Sequence, residues 1–421
     1  MDTAYLSLAI FLICIVLFVW NKIPMAYVAV GGCLVMVLFK VATFEQVFGQ
    51  FAGSTIALVI SVMIVSQAMT ETGTTTLMSN FLKRISRNNS NLFLLFAVLL
   101  CALMSAFTSN LATALVFIPI VISYAESTGT NPRNYLIPIA MASQVGGACT
   151  LVGSAPQLVA QGLVQELVGQ RFAFFDFAKV GVLLVFLLVV YTMTVGRVIG
   201  NGLWANRTEH LTAKTASGEA KADIDHKKVA TVSIVFLLMT VMFYLEWITI
   251  ELTAMIAAFI CILTGCLGGK PVRNCVSWGV VAKLAGCLGL IKALKVSGGT
   301  ALMTNTIQQL FGNDMPVFAL FIAFVALTTL FSEFLSNSTA LMLTLPLAIT
   351  FCEATGANAM SFAMGLVLAS SVALSTPLSS NSLMLVMGDS YSFTDFVKYG
   401  ILYDISAVIL ICIAVPVIFP L

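Results

Sequence analysis

Charge is what this chain has least of. Aspartate, glutamate, lysine and arginine together make up 9% of its 421 residues, where a soluble globular domain carries about a quarter. With 60% hydrophobic residues and a mean hydropathy of +1.03, a soluble globule is excluded and an integral membrane protein is expected. The net charge of +2 singles out no partner, and no nucleic-acid binding is expected. Histidine is nearly absent: His210 and His226 are the only two, both in the polar joint 201–228, which excludes histidine chemistry inside the membrane. The ten cysteines lie mostly in apolar runs without metal-type spacing and read as small core hydrophobes rather than disulfides. No nucleotide motif and no nucleophile–base pair is present, so the chain is not expected to be an enzyme. No basic flank precedes the first apolar stretch and Lys22 follows it, the reverse of a signal peptide, so that stretch counts as a span. Apolar runs such as 180–191 and 229–244 are continuous, which selects helices over a transmembrane barrel.

What the chain does have is a phrase written twice. Ser105-x3-Ser109-Asn110-x8-Pro119 recurs as Ser332-x3-Ser336-Asn337-x8-Pro346. At nearly constant offset, Gly73, Met78 and Asn80 recur as Gly298, Met303 and Asn305, Glu126-x-Thr128-Gly129-x-Asn131 as Glu353-x-Thr355-Gly356-x-Asn358, and Asp176-Phe177-x-Lys179-x-Gly181 as Asp395-Phe396-x-Lys398-x-Gly400. Such matching over a whole half means duplication. The repeats are 1–205 and 229–421, joined by a polar, cytoplasmic linker at 206–228.

Span counting predicts crossings near 4–20, 24–40, 53–70, 135–162 and 178–197, an amphipathic piece at 74–88, and a long apolar stretch at 92–123. The second half gives 229–245, 251–267, 276–294, 358–386 and 398–419, with 298–311 amphipathic and 317–350 long. Each long stretch exceeds one crossing of about 20 residues, yet its arms are short for two, so each is predicted to be a re-entrant hairpin with Ser-Asn at its tip. Five crossings per half is odd, so the halves are inverted, as in many secondary transporters. Placing Lys22, Lys83, Arg84, Arg87, Arg133, Arg197, the linker cations, Lys270 and Arg273 inside puts both termini outside the inner (plasma) membrane. Hairpin one then enters from the cytoplasm and hairpin two from outside.

The tips carry the chemistry. Ser105 and Ser109 stand four apart, expected on one face of the first hairpin helix, with Asn110 where the helix breaks; Ser332, Ser336 and Asn337 repeat this. Hydroxyl, amide and freed backbone oxygens suit a small hard cation, while freed N–H groups at helix starts favour an anion. Facing each tip is a span rich in breakers, Gly146-Gly147 through Gly153-Ser154-Ala155-Pro156-Gln157 and Ser370-Ser371 through Ser375-Thr376-Pro377, each read as a discontinuous helix. Ser154, Pro156, Thr376 and Pro377 are the substrate-side candidates from these breaks. For any single position the plainer reading is a serine bonded back to its own helix or a simple kink. Four breaks at symmetric places are what favour a site.

These tips, the Gly-Ser-Ala-Pro break at 153–156 and the Ser-Glu-Phe-x-Ser-Asn phrase at 332–337 resemble the divalent-anion/sodium symporter (DASS) family of the ion transporter superfamily, over essentially the whole chain. From Thr376 to Gly400 the chain is similar to a bacterial sulfate/dicarboxylate permease-like branch, but its linker is too short for the regulatory domains such permeases often carry. The resemblance implies an all-α fold with scaffold and transport subdomains, a homodimer in the lipid bilayer, and an elevator in which spans 1–3 and 6–8 stay fixed. It implies one Na⁺ among Ser105, Ser109, Asn110 and the backbone of Gly153, and a second among Ser332, Ser336, Asn337 and the backbone near Ser375 and Thr376. A small anion would sit between Asn110 and Asn337, touching the residue after each. The family has threonine there; Leu111 and Ser338 replace it, and Gln157 stands where asparagine is usual, which favours a smaller, one-ended or tetrahedral anion over a symmetric grip on a C4 dicarboxylate. Sodium-coupled symport of a di/tricarboxylate or sulfate-like anion is therefore the expectation. The alternatives are a proton-coupled anion permease, or a Na⁺/H⁺ or arsenite-type antiporter, which would need a carboxylate pair where Glu333 is the one acidic side chain beside a cage. Glu333 is expected to act as a structural acceptor, Lys283 and Lys292 to snorkel to the interfaces, and bound Na⁺ to take the place of a fixed cation at the site.

Overall fold

The structure is a computed structural model that describes residues 3–20, 22–72, 89–204, 226–245, 247–269, 271–311, 316–387 and 391–421. All regular elements among them are helical. The first half runs α1 Thr3–Trp20, α2 Met25–Leu38, the short α3 Phe44–Phe48, α4 Ser54–Glu71, α5 Ser90–Ser105, α6 Asn110–Thr128, α7 Arg133–Gly147, α8 Ala155–Leu167, α9 Ala178–Met193 and α10 Val195–Trp204. The second runs α11 His226–Leu245, α12 Ile250–Leu263, α13 Val272–Cys275, α14 Trp278–Val296, α15 Gly299–Phe311, α16 Val317–Phe334, α17 Asn337–Thr355, α18 Ala359–Ser371, α19 Asn381–Met387 and α20 Phe393–Ile418. The amphipathic piece expected at 74–88, with Lys83, Arg84 and Arg87, lies outside the described residues, as does most of the linker at 206–228. The second amphipathic piece is α15.

The repeated phrases recur as repeated local structure. Gly129 and Gly356 end α6 and α17 with φ of 65° and 73°, a left-handed conformation that a residue without Cβ adopts freely. Two residues on, Asn131 donates through Nδ2 to the carbonyl of Trp204 at 3.0 Å, and Asn358 to that of Pro420 at 2.9 Å, each tying the chain to the end of the last span of its own half. Asp176 accepts from the Ala173 N–H and Asp395 from the Ser392 N–H, both at the start of that last span.

Seven described helical segments are long and apolar enough to cross a membrane, and an eighth if α9 and α10, bent by 45°, form one span. Three of the seven, α6, α16 and α17, are hairpin arms in the sequence-based topology. The spans expected at 135–162 and 358–386 are absent from the seven because each is split, at 148–154 and at 372–380, into two helices too short to qualify. Outward-facing side chains such as Leu12, Ile13 and Val16 on α1, and Ile405, Ile409 and Ile413 on α20, are exposed and suit lipid. All ten cysteines are buried free thiols.

Packing sorts the helices into two groups, each drawn from both halves. In one, α2 packs on α14 and α4 on α12; in the other, α8 packs on α17 and α18, α7 on α19, and α9 on α20. The groups meet where α8 touches α14 and α15 touches α17. Small residues permit that closeness: a Cβ on Gly162 of α8 would lie 3.1 Å from Thr55 and 3.2 Å from Leu288 of α14.

Candidate functional site

Hairpin one turns between α5 and α6. Because α5 ends at Ser105, Ser109 does not share its face: it is the N-cap of α6, its hydroxyl accepting from the Ala112 N–H at 3.3 Å. Ser336 caps α17 in the same way, accepting from the Thr339 N–H at 3.4 Å, so the expected single helical face is replaced at both tips by a cap. What Ser105 meets instead is the next broken span. Its Oγ lies 2.9 Å from Asn110 Oδ1 and 2.5 Å from the Ser143 carbonyl, while Asn110 Oδ1 lies 3.1 Å from the Ser143 carbonyl and 3.2 Å from that of Gly153.

Four oxygens thus converge with one hydroxyl proton to share. Two arrangements satisfy them: the amide turns its nitrogen inward and shares its two N–H donors among the other three, the Gln144 amide turning with it, or a cation sits among them. A hard cation with ligands at about 2.3–2.6 Å needs neighbouring oxygens roughly 3.3–3.7 Å apart, so the cluster must spread by about half an ångström to hold one. Its donor set fits such an ion.

Glycines make this convergence sterically possible. A Cβ at Gly146 would run into the Ala102 backbone, one at Gly147 into the Asn110 amide oxygen, and one at Gly153 into the carbonyls of Gly147 and Ala106. Thr150, in the unwound segment 148–154, donates to the carbonyl of Ala106 and fastens the break to the tip.

Hairpin two repeats the construction. Ser332 Oγ lies 2.8 Å from Asn337 Oδ1 and 2.8 Å from the Ser370 carbonyl, and Thr376 donates to the carbonyl of Glu333. Gly400 sits against Ser375 and Leu374 as Gly181 sits against Cys149 and Ala148. The difference is acid. Glu333 stands where hairpin one has Ala106, and Asp404, in the middle of α20, reaches the unwound segment 372–380. Asp404 accepts from the Leu374 N–H at 3.2 Å, the Ser375 N–H at 2.8 Å and the Ser375 hydroxyl. Glu333 Oε1 accepts from the same Ser375 N–H at 3.3 Å, while its Oε2 is buried with no partner among the described residues. Glu333 is therefore a backbone acceptor, as expected, but not the one acidic side chain at a cage. Asp404 was passed over by the sequence reading, although a carboxylate inside an apolar helix is itself a signal.

Both tips open on one cavity of about 410 Å³. Asn110, Leu111, Asn337 and Ser338 line it, as do Ser154 and Pro156, six of the eight expected substrate-side residues. Thr376 and Pro377 do not: they are buried behind the wall, which is built from Leu378, Ser379, Ser380 and Asn381 instead. Of the expected cation ligands, Ser109, Gly153 and Ser336 reach the cavity, whereas Ser105, Ser332 and Ser375 are buried beneath it. Gln157 does not line it; the amide is fully buried, accepting from the Ser154 hydroxyl and 3.5 Å from Ser371 Oγ of the other half. The opposite wall was not foreseen. It comes from α4, through Ser66, Gln67 and Thr70, and from α14, through Lys283. Lys292, expected to snorkel, pairs with Glu166 of α8 at 2.9 Å.

Comparison with known proteins places this architecture. The chain is 27% identical over 186 residues to the uncharacterized transporter YfbS of Escherichia coli K12, and 28% identical over 163 residues to probable sodium/sulfate cotransporter 3 of Chlamydomonas reinhardtii. Those matches span 44% and 36% of this chain but 30% and 18% of the two relatives, less than a third of their length. In fold, the chain superposes on the crystal structure of the YdaH transporter of Alcanivorax borkumensis with a TM-score of 0.66 at 13% identity, over 99% of this chain and 98% of that one. Residues 15–324 match the citrate transporter family model, CitMHS. The chain therefore belongs to the CitMHS citrate transporter family and, with seven candidate spans among the described residues, is a multi-pass membrane protein.

Proposed function

We propose that the protein is a sodium-coupled symporter of a small anion of the carboxylate or sulfate class. The observation that carries this reading is the pair of matching oxygen clusters, at Ser105–Asn110 and Ser332–Asn337, opening side by side on one cavity. Each would take one Na⁺, using Ser105, Asn110 and the carbonyls of Ser143 and Gly153 in one half, and Ser332, Asn337 and the Ser370 carbonyl in the other. The Ser109 and Ser336 hydroxyls and the Ser375–Thr376 backbone flank them. The anion would lie between the tips, against Asn110, Asn337, Ser338, Ser154 and Pro156, where helix starts point N–H groups outward. The family description favours citrate and the algal relative's name favours sulfate.

The two helix groups support an elevator reading: the scaffold α1–α4 and α11–α14 would stay fixed while the tips and their broken helices slide. A homodimer, a plasma-membrane location and termini outside complete the proposal. In that orientation the C-terminal end of α4 and the N-terminal end of α14 both face the cytoplasm, so the cavity between them opens inward.

Uptake of labelled citrate, succinate and sulfate into proteoliposomes, with and without a Na⁺ gradient, tests this. Na⁺-driven uptake that Asn110→Ala and Asn337→Ala each reduce at least about 100-fold is expected; uptake indifferent to Na⁺, or unchanged in both variants, would sink it. One observation favours a second reading. Glu333 and Asp404 form the carboxylate pair that a proton-coupled permease or an antiporter needs, and uptake driven by a pH gradient alone would select it.

A further inference from the structure

The three lysines of α14 differ in what they meet. Lys292 pairs with Glu166 at 2.9 Å, and Lys295 donates to the carbonyls of Glu166 and Leu167 at 2.8 and 3.1 Å. Lys283, on the same helix, makes no ion pair or hydrogen bond among the described residues, and it lines the cavity opposite the hairpin tips. A half-buried ammonium with no counter-charge is costly, and nothing in the described protein offsets it. The tips are meanwhile unequal: Asn337 and Ser338 offer an amide and a hydroxyl, whereas beside Asn110 stands Leu111, with nothing to donate. Across the cavity from Asn337 and Ser338, Lys283 is the one cationic side chain among the described lining residues.

We propose that Lys283 is a substrate-contacting residue. In the state with the cavity open, its ammonium receives one anionic group of a substrate whose other end lies against Asn337 and Ser338, so the site favours extended anions with two or more charged groups over compact ones. This rests on the anion-symport reading above. It replaces the expectation that bound Na⁺ alone supplies positive charge, and it removes the objection that Leu111 raises to a two-ended anion.

The test measures KM and kcat for citrate, succinate and sulfate in proteoliposomes holding the wild type, Lys283→Gln, Lys283→Arg or Asn337→Ala. A charge-assisted contact predicts that Lys283→Gln raises KM for citrate and succinate roughly 10- to 100-fold with KM for sulfate little changed, and that Lys283→Arg restores most of the loss. An equal rise for all three anions, KM values within two-fold of wild type, or wild-type uptake of sulfate alone overturns the role of Lys283. If Asn337→Ala abolishes uptake while Lys283→Gln matches wild type, Lys283 is excluded and the symport reading stands. If the wild type takes up none of the three, that reading fails and this inference with it. A second measurement needs no variant. Citrate should slow labelling of Lys283 by an amine reagent, followed by mass spectrometry of the wild-type protein, and an unchanged rate overturns the proposal.

Discussion

A Cβ added at residue 147 would occupy the place of the Asn110 amide oxygen. Gly147→Ala, at a position that does not itself line the cavity, should therefore push Asn110 out of its oxygen cluster, and Na⁺-driven uptake should fall about 100-fold or more at unchanged membrane abundance. Wild-type uptake by this variant would show that the cluster is not needed for transport. At this scale the sequence was partly legible. Breakers such as Gly146-Gly147 and Gly153 mark an interruption in an apolar span, but which oxygen a glycine makes room for depends on a hairpin arriving from another part of the chain. Ser109 and Ser336 misled for a related reason. Spacing alone puts them on a helical face, whereas the short contacts of Ser105 and Ser332 with the facing carbonyls accompany a turn at each tip, leaving the second serine to cap the next helix.

The broken helix 359–387 is held differently from its counterpart in the first half. Asp404 is 4% exposed and accepts from two backbone N–H groups and one hydroxyl of the unwound segment, which compensate its burial. At the matching place in the first half, α9 carries the apolar Val185, and the unwound segment is fastened by Thr150 and by the Leu151 N–H, which donates to the carbonyl of Phe174 at 3.1 Å. Asp404→Ala would leave the Leu374 N–H and the Ser375 hydroxyl without their acceptor and the Ser375 N–H with Glu333 alone, a cost on the order of 2–5 kcal/mol, and should lower the unfolding temperature in detergent and abolish uptake. Asp404→Asn, which keeps one acceptor oxygen, should lie between wild type and alanine in the same thermal assay. An alanine variant as stable as wild type would show that the segment holds itself. The breaks were visible in the sequence as runs of glycine, serine and proline. Their clamp was not, because Asp404 lies far along the chain and only the packing of α20 on α18 brings it to Ser375.

The whole molecule is two helix groups with an uneven boundary between them. Arg171–Glu251 at 3.0 Å, Lys292–Glu166 at 2.9 Å and the Lys295 bonds tie α8 and the segment after it to α12 and α14. The cavity opens beside the other end of α14, where Ser277, Val280 and Lys283 line it. A boundary fastened at one end and open at the other suits a sliding transport group better than a rigid bundle, since partly exposed ion pairs cost little to break and remake. Gly162 and Leu288 face each other across that boundary. With cysteines at both positions, a short thiol crosslinker should join α8 to α14, stop Na⁺-driven uptake, and release it again when the link is cleaved. The ten native thiols are buried, so the uncysteinylated protein treated in the same way serves as the control. If the crosslinked protein transports at the full rate, α8 does not move past α14, and substrate must cross by local opening of the hairpin tips instead.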